Sequence, residues 1–340
     1  MESTDAVGDV STEAGDPARP DEQAPTRAVL GPDHSPTPDS RAWSAERRES
    51  KPTPAGWERR LRRMASRTLV RLIQPTHRAR MLPGFLIVGA QRCGTSSLFH
   101  VLSQHPSMVT PTRNKKELHY FDHEYDRGLA WYQSHFPLRA RVQAAARDTG
   151  VEPVAFEGSP YYMFHPLVPG RIHRDLPGVR LLVLVRDPVE RAYSQHAHQV
   201  NLGLETEPFE RALELEDARI EGEAERLASD PSYTSRNHWL YAYRTRGHYA
   251  DQLERLEATF GRDRIHVIDS GDFFDNPGPE YDRVLEFLGL PSLGQAAFTP
   301  RNARPRSPMP VGLRASLDER FRQHDEPLAA WLGCAPSWPR

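Results

Sequence analysis

From Phe85 to Leu98 the chain reads FLIVGAQRCGTSSL: a short apolar run, a loop framed by Gly89 and Gly94, then a cluster of hydroxyls opening an apolar-periodic stretch. An apolar strand that turns through glycines into a helix commits a chain to an α/β layout, because the helix must return over the sheet to cover its apolar face. The glycine spacing is that of a phosphate-binding loop of the form G-x-x-x-x-G-K-[ST]. Thr95 stands where the lysine of that loop belongs, and the strong cation lies inside the loop at Arg92. Such a loop suits an anionic ligand other than a nucleoside triphosphate.

The rest of the chain is consistent with that start. Residues 1–54 are rich in Pro, Ser, Thr, Asp and Glu and poor in aromatics, so they are expected to form a disordered tail. Residues 55–81 change character. Arg59, Arg60, Arg62, Arg63, Arg67, Arg71, Arg78 and Arg80 surround Trp57, Leu61, Met64, Leu69, Leu72 and Ile73, which predicts a basic amphipathic leader. It could pack on the domain, meet anionic lipid as a peripheral membrane contact, or dock an acidic substrate. The domain proper is placed at 82–340. Strands are expected at Phe85–Val88, Val154–Phe156, Arg180–Val185 and Arg264–Ile268. Helices are expected at Ser96–Ser103, Leu129–Phe136, Pro166–Leu176, Val189–Asn201, Pro208–Leu227, Tyr249–Phe260 and Tyr281–Leu288. The predicted fold is α/β, a P-loop-like three-layer sandwich with a central parallel sheet flanked by helices. Its ligand would bind beyond the carboxyl ends of the strands.

The bulk numbers exclude several function classes. A net charge of −2 over 340 residues gives no global field for nucleic acid. Cys93 and Cys334 form neither a zinc spacing nor a disulfide framework. No run approaches the roughly 18 apolar residues of a spanning helix, and the acidic first residues do not make a signal peptide, so the expected location is cytoplasmic.

Three groups of residues could carry chemistry. In the loop, backbone N–H groups, the positive end of the following helix, Arg92 and the hydroxyls of Thr95, Ser96 and Ser97 could hold a phosphate or sulfonate. In the run KKELHYFD at 115–122, Glu117 and His119 are both candidate bases, and Lys115 or Lys116 could neutralise charge on a transferred group. Alternation along an extended segment would put Glu117, His119 and Phe121 on one side and Lys116, Leu118 and Tyr120 on the other. In RLLVLVRDPVERAYS at 180–194, Arg186 ends a buried strand, Pro188 opens a helix and Ser194 lies two turns along it, so the pair could grip a second phosphate. The competing reading pairs Arg186 with Asp187 or Glu190. Trp131, Tyr132, Tyr161 and Tyr162 could stack on an acceptor or belong to the core. His196 and His198 point to different faces of a helix and do not suggest a metal site.

In this order the three groups resemble the PAPS-dependent sulfotransferases, where PAPS is 3′-phosphoadenosine 5′-phosphosulfate. GAQRCGTS at 89–96 is similar to that family's 5′-phosphosulfate loop, and RDPVERAYS at 186–194 to its 3′-phosphate motif. KELHYFD at 116–122 and EGSPY at 157–161 resemble the heparan-sulfate type and its bacterial relatives, and the likeness continues through Arg246, Gly247 and Tyr249 to the loop at 301–306. The resemblance implies that Gln91, Arg92, Cys93, Gly94, Thr95, Ser96 and Ser97 hold the 5′-phosphosulfate. It implies that Arg186 and Ser194 bind the 3′-phosphate, that Arg304 and Arg306 close over the co-substrate, and that Glu117 is the base beside His119 and Asp122. Catalysis would rest on Glu117, Arg92 and His119, with no metal demanded.

Two positions depart from the family pattern. Arg92 replaces a lysine common in the loop, and Gly158 replaces the lysine of a Glu-Lys-x-Pro motif, which puts a heparan-like acceptor in doubt. A saccharide, lipid or small-metabolite hydroxyl stays open as acceptor. The alternatives are a P-loop kinase or nucleotide transferase, which would need a lysine after Gly94, and an inactive nucleotide-binding module, which would lack the base.

Overall fold

A computed structural model describes residues 74–147, 150–293, 297–298 and 308–338. The tail at 1–54, the leader as far as residue 73, and Arg304 and Arg306 lie outside the described residues.

Five strands form one parallel sheet: β1 Pro83–Gly89, β2 Met108–Val109, β3 Val154–Gly158, β4 Arg180–Val185 and β5 Ile265–Asp269, in the order β2-β3-β1-β4-β5. The helices between and after them are α1 Thr95–Leu102, α2 Tyr120–His123, α3 Leu129–Gln133, α4 Arg139–Ala145, α5 Val168–Asp175, α6 Pro188–Asn201, α7 Phe209–Ile220, α8 Glu223–Ser229, α9 Arg236–Leu240, α10 Tyr249–Phe260, α11 Ser270–Asp275, α12 Pro277–Leu288 and α13 Val311–Leu332. The strands read as near-continuous apolar runs because helices cover both faces of a parallel sheet. Phe85, Leu86, Ile87 and Val88 of β1, and Leu181 to Val185 of β4, are fully buried. Phe85 stacks on Phe156 of β3 with ring centroids 4.7 Å apart.

The order of the strands locates the ligand cleft. From central β1 the chain goes to the edge at β2, returns inward to β3 beside β1, then crosses to β4 and β5 on the other side. The connections therefore diverge at β1, and a crevice opens at the carboxyl ends of β3, β1 and β4. All three groups singled out in the sequence lie there.

The departures from expectation are local and have local causes. Strand β2 is two residues long, too short to show a period. The helix expected over Pro208–Leu227 is two helices, α7 and α8, because Gly222 takes a left-handed φ of 68° between them. The run at 115–122 does not stay extended: His119 has φ 54° and starts the helical turn α2, so Leu118, Tyr120 and Phe121 all go into the core. The end of the basic leader is docked on the domain. Arg80 is buried and donates to the Phe136 carbonyl at 2.6 Å, while Gln133 donates to the Arg80 carbonyl at 2.9 Å.

Candidate active site

The loop after β1 is an anion cradle by conformation. Arg92 has φ 71° and Gly94 φ 95°, and Gly94 is the N-cap of α1. A Cβ on Gly94 would come within 2.9 Å of the Phe274 ring, so the position is closed to side chains on two counts. The first turn of α1, with Thr95, Ser96 and Ser97, thus presents its N–H groups at the carboxyl end of β1. The loop is fixed from below. Ser270 Oγ donates to the Cys93 carbonyl at 2.5 Å, and the Cys93 side chain is wholly buried with Sγ 3.5 Å from Tyr249 Oη. Burial pushes that thiol's pKa up, so Cys93 shapes the loop rather than reacting in it.

Lys116 ties the candidate base to this cradle. Its Nζ donates to Thr95 Oγ1 at 2.9 Å and Ser96 Oγ at 3.3 Å, and lies 3.4 Å from Glu117 Oε1. Burial lowers the ammonium's pKa, opposed by Glu117. The other carboxylate oxygen of Glu117 is 3.2 Å from His119 Nε2, and His119 Nδ1 is 2.8 Å from Asp122 Oδ2. Burial works against a charge on His119, but Asp122 and Glu117 outweigh it and raise the pKa to about 9. Asp122, its side chain fully buried, is held well below the usual carboxylate range against its own burial by His119 and His123. At neutral pH His119 is therefore an imidazolium clamped between two carboxylates, with no lone pair to take a proton. Glu117, its side chain 37% exposed, is the member of the cluster that an acceptor can reach. The donor atoms of His119, Asp122 and His123 lie within 4.8 Å of one another, a spacing open to a metal ion, although both His119 nitrogens already face carboxylates.

Beneath the cluster, Ser159 Oγ donates to Glu157 Oε2 at 2.9 Å and accepts from the His119 N–H at 3.3 Å. This pins the left-handed residue on which the His119 ring turns. Glu157 is fully buried, and that burial raises its carboxyl from the usual 4.5 to about 7 against hydrogen bonds from Tyr162 and Ser159. A raised carboxyl pKa means that the folded chain holds a proton which the unfolded chain has released. Stability is thus expected to fall as pH rises from 4.5 to about 7. Glu157→Gln should remove this component; urea melts at about pH 5 and about pH 8 check it, and a slope unchanged in the variant would show that Glu157 titrates normally.

On the other side of β1, Arg186 and Ser194 stand at the end of β4 and on α6 as expected. Arg186 Nη2 also contacts Glu190 at 3.4 Å, so the competing pairing is present too. Asp187 caps α6 by accepting from the Val189 N–H at 3.0 Å and pairs with Arg314 at 2.6 Å. Arg92 Nε donates to Ser194 Oγ at 3.0 Å, which joins the loop after β1 directly to α6.

The aromatic residues weighed as an acceptor platform divide. Tyr132, Tyr161 and Tyr162 are buried and spend their hydroxyls on Glu157, His238 and the Tyr120 N–H, so they are core. Trp131 is partly buried and packs against that core. His196 lies 2.8 Å from the Glu207 carbonyl and is structural. Sequence reasoning gave no role to Glu157, Ser159 or Arg246, since nothing local marks a carboxylate, hydroxyl or guanidinium for burial.

Comparisons with known proteins identify a family. Residues 82–299 match the family described as Sulfotransferase domain. Human heparan sulfate glucosamine 3-O-sulfotransferase 5 is 31% identical over 212 residues, 62% of this chain and 54% of that protein. The membrane-associated sulfotransferase kil1 of Dictyostelium discoideum is 25% identical over 323 residues, covering 76% of this chain and 66% of its own. The chain spans about half the length of the 3-O-sulfotransferases it matches. A solved sulfotransferase from Alicyclobacillus acidocaldarius superposes with a TM-score of 0.56 at 29% identity, covering 76% of this chain and 98% of that one. Because the match runs from the start of β1 past the end of β5 and takes in the loop after β1 and the start of α6, the chain belongs to the sulfotransferase family.

Proposed function

We propose that the chain transfers a sulfuryl group from PAPS to an acceptor hydroxyl, with Glu117 as general base. The observation that carries this is the unbroken line Asp122–His119–Glu117–Lys116–Thr95/Ser96, which couples one accessible carboxylate to the phosphate cradle. The residues suit the co-substrate: a left-handed Gly94 that admits no Cβ, a helix N-terminus, and cations at Arg92, Lys116 and Arg186 for a ligand with phosphate at both ends of its ribose. When bound, PAPS supplies the electrophilic sulfur. Glu117 takes the acceptor's hydroxyl proton as that oxygen bonds to sulfur, and the sulfur's bond to the bridging 5′-phosphate oxygen breaks, releasing adenosine 3′,5′-bisphosphate. Lys116 and the α1 N–H groups stabilise the charge that gathers on the sulfuryl and leaving oxygens. His119 orients Glu117 and Asp122 orients His119.

Saccharide hydroxyls are the first acceptors to test, given the names of the curated relatives. Gly158 argues for a different grip on such a substrate. A Cβ there would lie 3.1 Å from Ile87 Cβ and 3.4 Å from Lys116 Cε, so the Lys116 stem fills the space beside it. Among the described residues no helix is long and apolar enough to cross a membrane. The basic residues of 56–81, apart from the buried Arg80, would let the chain meet an anionic surface carrying its acceptor, from a cytoplasmic location.

Adenosine 3′,5′-bisphosphate should raise Tm without added magnesium, and magnesium-ATP should do so far less. Greater stabilisation by magnesium-ATP would favour a kinase and overturn the proposal.

A further inference from the structure

Among the described residues two guanidiniums lie wholly inside the protein with no ion pair to a carboxylate. Arg191 of α6 donates to Gln195 Oε1 at 2.7 Å and to the Tyr243 carbonyl. Arg246, in the turn before α10, donates to Gln91 Oε1 and, at 2.9 Å each, to the carbonyls of His238 and Trp239. Both residues are at most 1% exposed, and the Nε of each is buried without a hydrogen-bond partner among the described residues. Buried charge is ordinarily paired, because leaving water costs several kcal/mol per ion. Here the rings of Tyr161 and Phe164, 5.3 and 4.8 Å from the Arg246 guanidinium carbon, give partial compensation. Burial, and then the charge of Arg191, lowers the Arg246 pKa to about 9, opposed in part by Tyr161 and Glu216.

Position separates Arg246 from the other carbonyl-binding arginines. Arg80 donates to Thr76 and Phe136, Arg171 to Phe121 and Pro231, and Arg255 to Met163 and Phe164. Arg246 instead holds a side chain of the phosphate loop itself. The turn that carries it is fixed by a fully buried carboxylate: Glu216 accepts from the backbone N–H groups of Arg244 and Thr245 and from the Thr245 hydroxyl, at 2.7–2.9 Å. Glu216 is engaged by these bonds and by Arg244 at 3.3 Å, so it secures the turn and eases the Arg246 charge only at a distance, without a direct ion pair.

We infer that Arg246 is a positioning residue for the co-substrate, holding Gln91 in the phosphate loop and supplying a buried positive charge whose counter-ion is the bound 5′-phosphate. The inference rests on the PAPS reading above and extends it to a residue outside both phosphate motifs. A charge placed in this way acts on ligand affinity, whereas a merely structural arginine acts on the fold.

The test compares Arg246→Lys, which keeps the charge, with Arg246→Gln, which keeps hydrogen-bonding capacity without charge. Binding of adenosine 3′,5′-bisphosphate is measured by calorimetry, and the Tm of each ligand-free variant is recorded alongside. Arg246→Gln is expected to bind about tenfold more weakly, the worth of one charge-assisted hydrogen bond, and Arg246→Lys within about threefold of the parent. The loss should persist with adenosine 5′-monophosphate and vanish with adenosine 3′-monophosphate, because Gln91 lies in the 5′ loop. Equal, parent-like affinities in both variants with only Tm lowered would overturn the inference and leave the sulfotransferase reading intact. A parent that fails to bind the bisphosphate would overturn both.

Discussion

Glu117→Gln is expected to lower kcat by about 10²–10⁴ while leaving affinity for adenosine 3′,5′-bisphosphate within about threefold. The amide keeps the size of the carboxylate and can still face Lys116 and His119, so the fold should hold. What it lacks is basicity. In the parent His119 is no rival base, because its two nitrogens lie 2.8 and 3.2 Å from carboxylate oxygens and its pKa is raised to about 9; in the variant Asp122 still holds Nδ1. The same variant carries a second signature. A histidine whose folded pKa lies above its usual 6.5 contributes stability that is fully present below 6.5 and lost as pH rises through about 9. Removing one of its two carboxylates should move that loss to lower pH, which pH-dependent urea melts would detect. Near-parental turnover in the glutamine variant would remove Glu117 from its role.

Lys116→Ala should cost about 10²–10³ in kcat, the scale for deleting one preorganised donor at developing charge. Its ammonium meets Thr95, Ser96 and Glu117 together, so its loss disconnects the base from the cradle as well as removing a cation. Arg92→Ala should behave differently. Its Nε is committed to Ser194, so the main effect expected is about tenfold weaker binding of the bisphosphate, with the larger change in KM rather than kcat. The sequence offers both Arg92 and Lys115 or Lys116 for charge stabilisation; the contacts of Lys116 to Thr95, Ser96 and Glu117 are the ground for expecting the larger kcat effect there. Initial rates at varied PAPS separate the two residues, and a reversed pattern, with Lys116→Ala altering only KM, would return the electrostatic role to Arg92.

What was legible in the sequence divides along physical lines. The β1–loop–α1 unit could be read because apolar run, glycine spacing and hydroxyl cluster are all local. Helix α10 was legible to the residue, since its apolar period is regular and Gly261 ends it. Helix α13 was not: it buries only Leu317, Phe321 and Leu328 over 22 residues and carries Pro327 in its interior, so neither period nor breaker rules announce it. The site residues were legible as chemical types, but their arrangement was not. Alternation across 116–121 fails at His119, whose left-handed backbone is held by Ser159 and Glu157, forty residues away along the chain. Tertiary contacts of that kind leave no local pattern. The same holds for Arg246, 155 residues from the glutamine it holds.

The most direct measurement is transfer of label from sulfur-labelled PAPS to saccharide hydroxyls, followed by mass spectrometry, for the parent and Glu117→Gln after both are shown to bind adenosine 3′,5′-bisphosphate. Label entering the saccharide with the parent and not with the variant is the expected result. Equal transfer by both proteins would contradict Glu117 as the base, and release of the label to water alone by the parent would contradict saccharide sulfation.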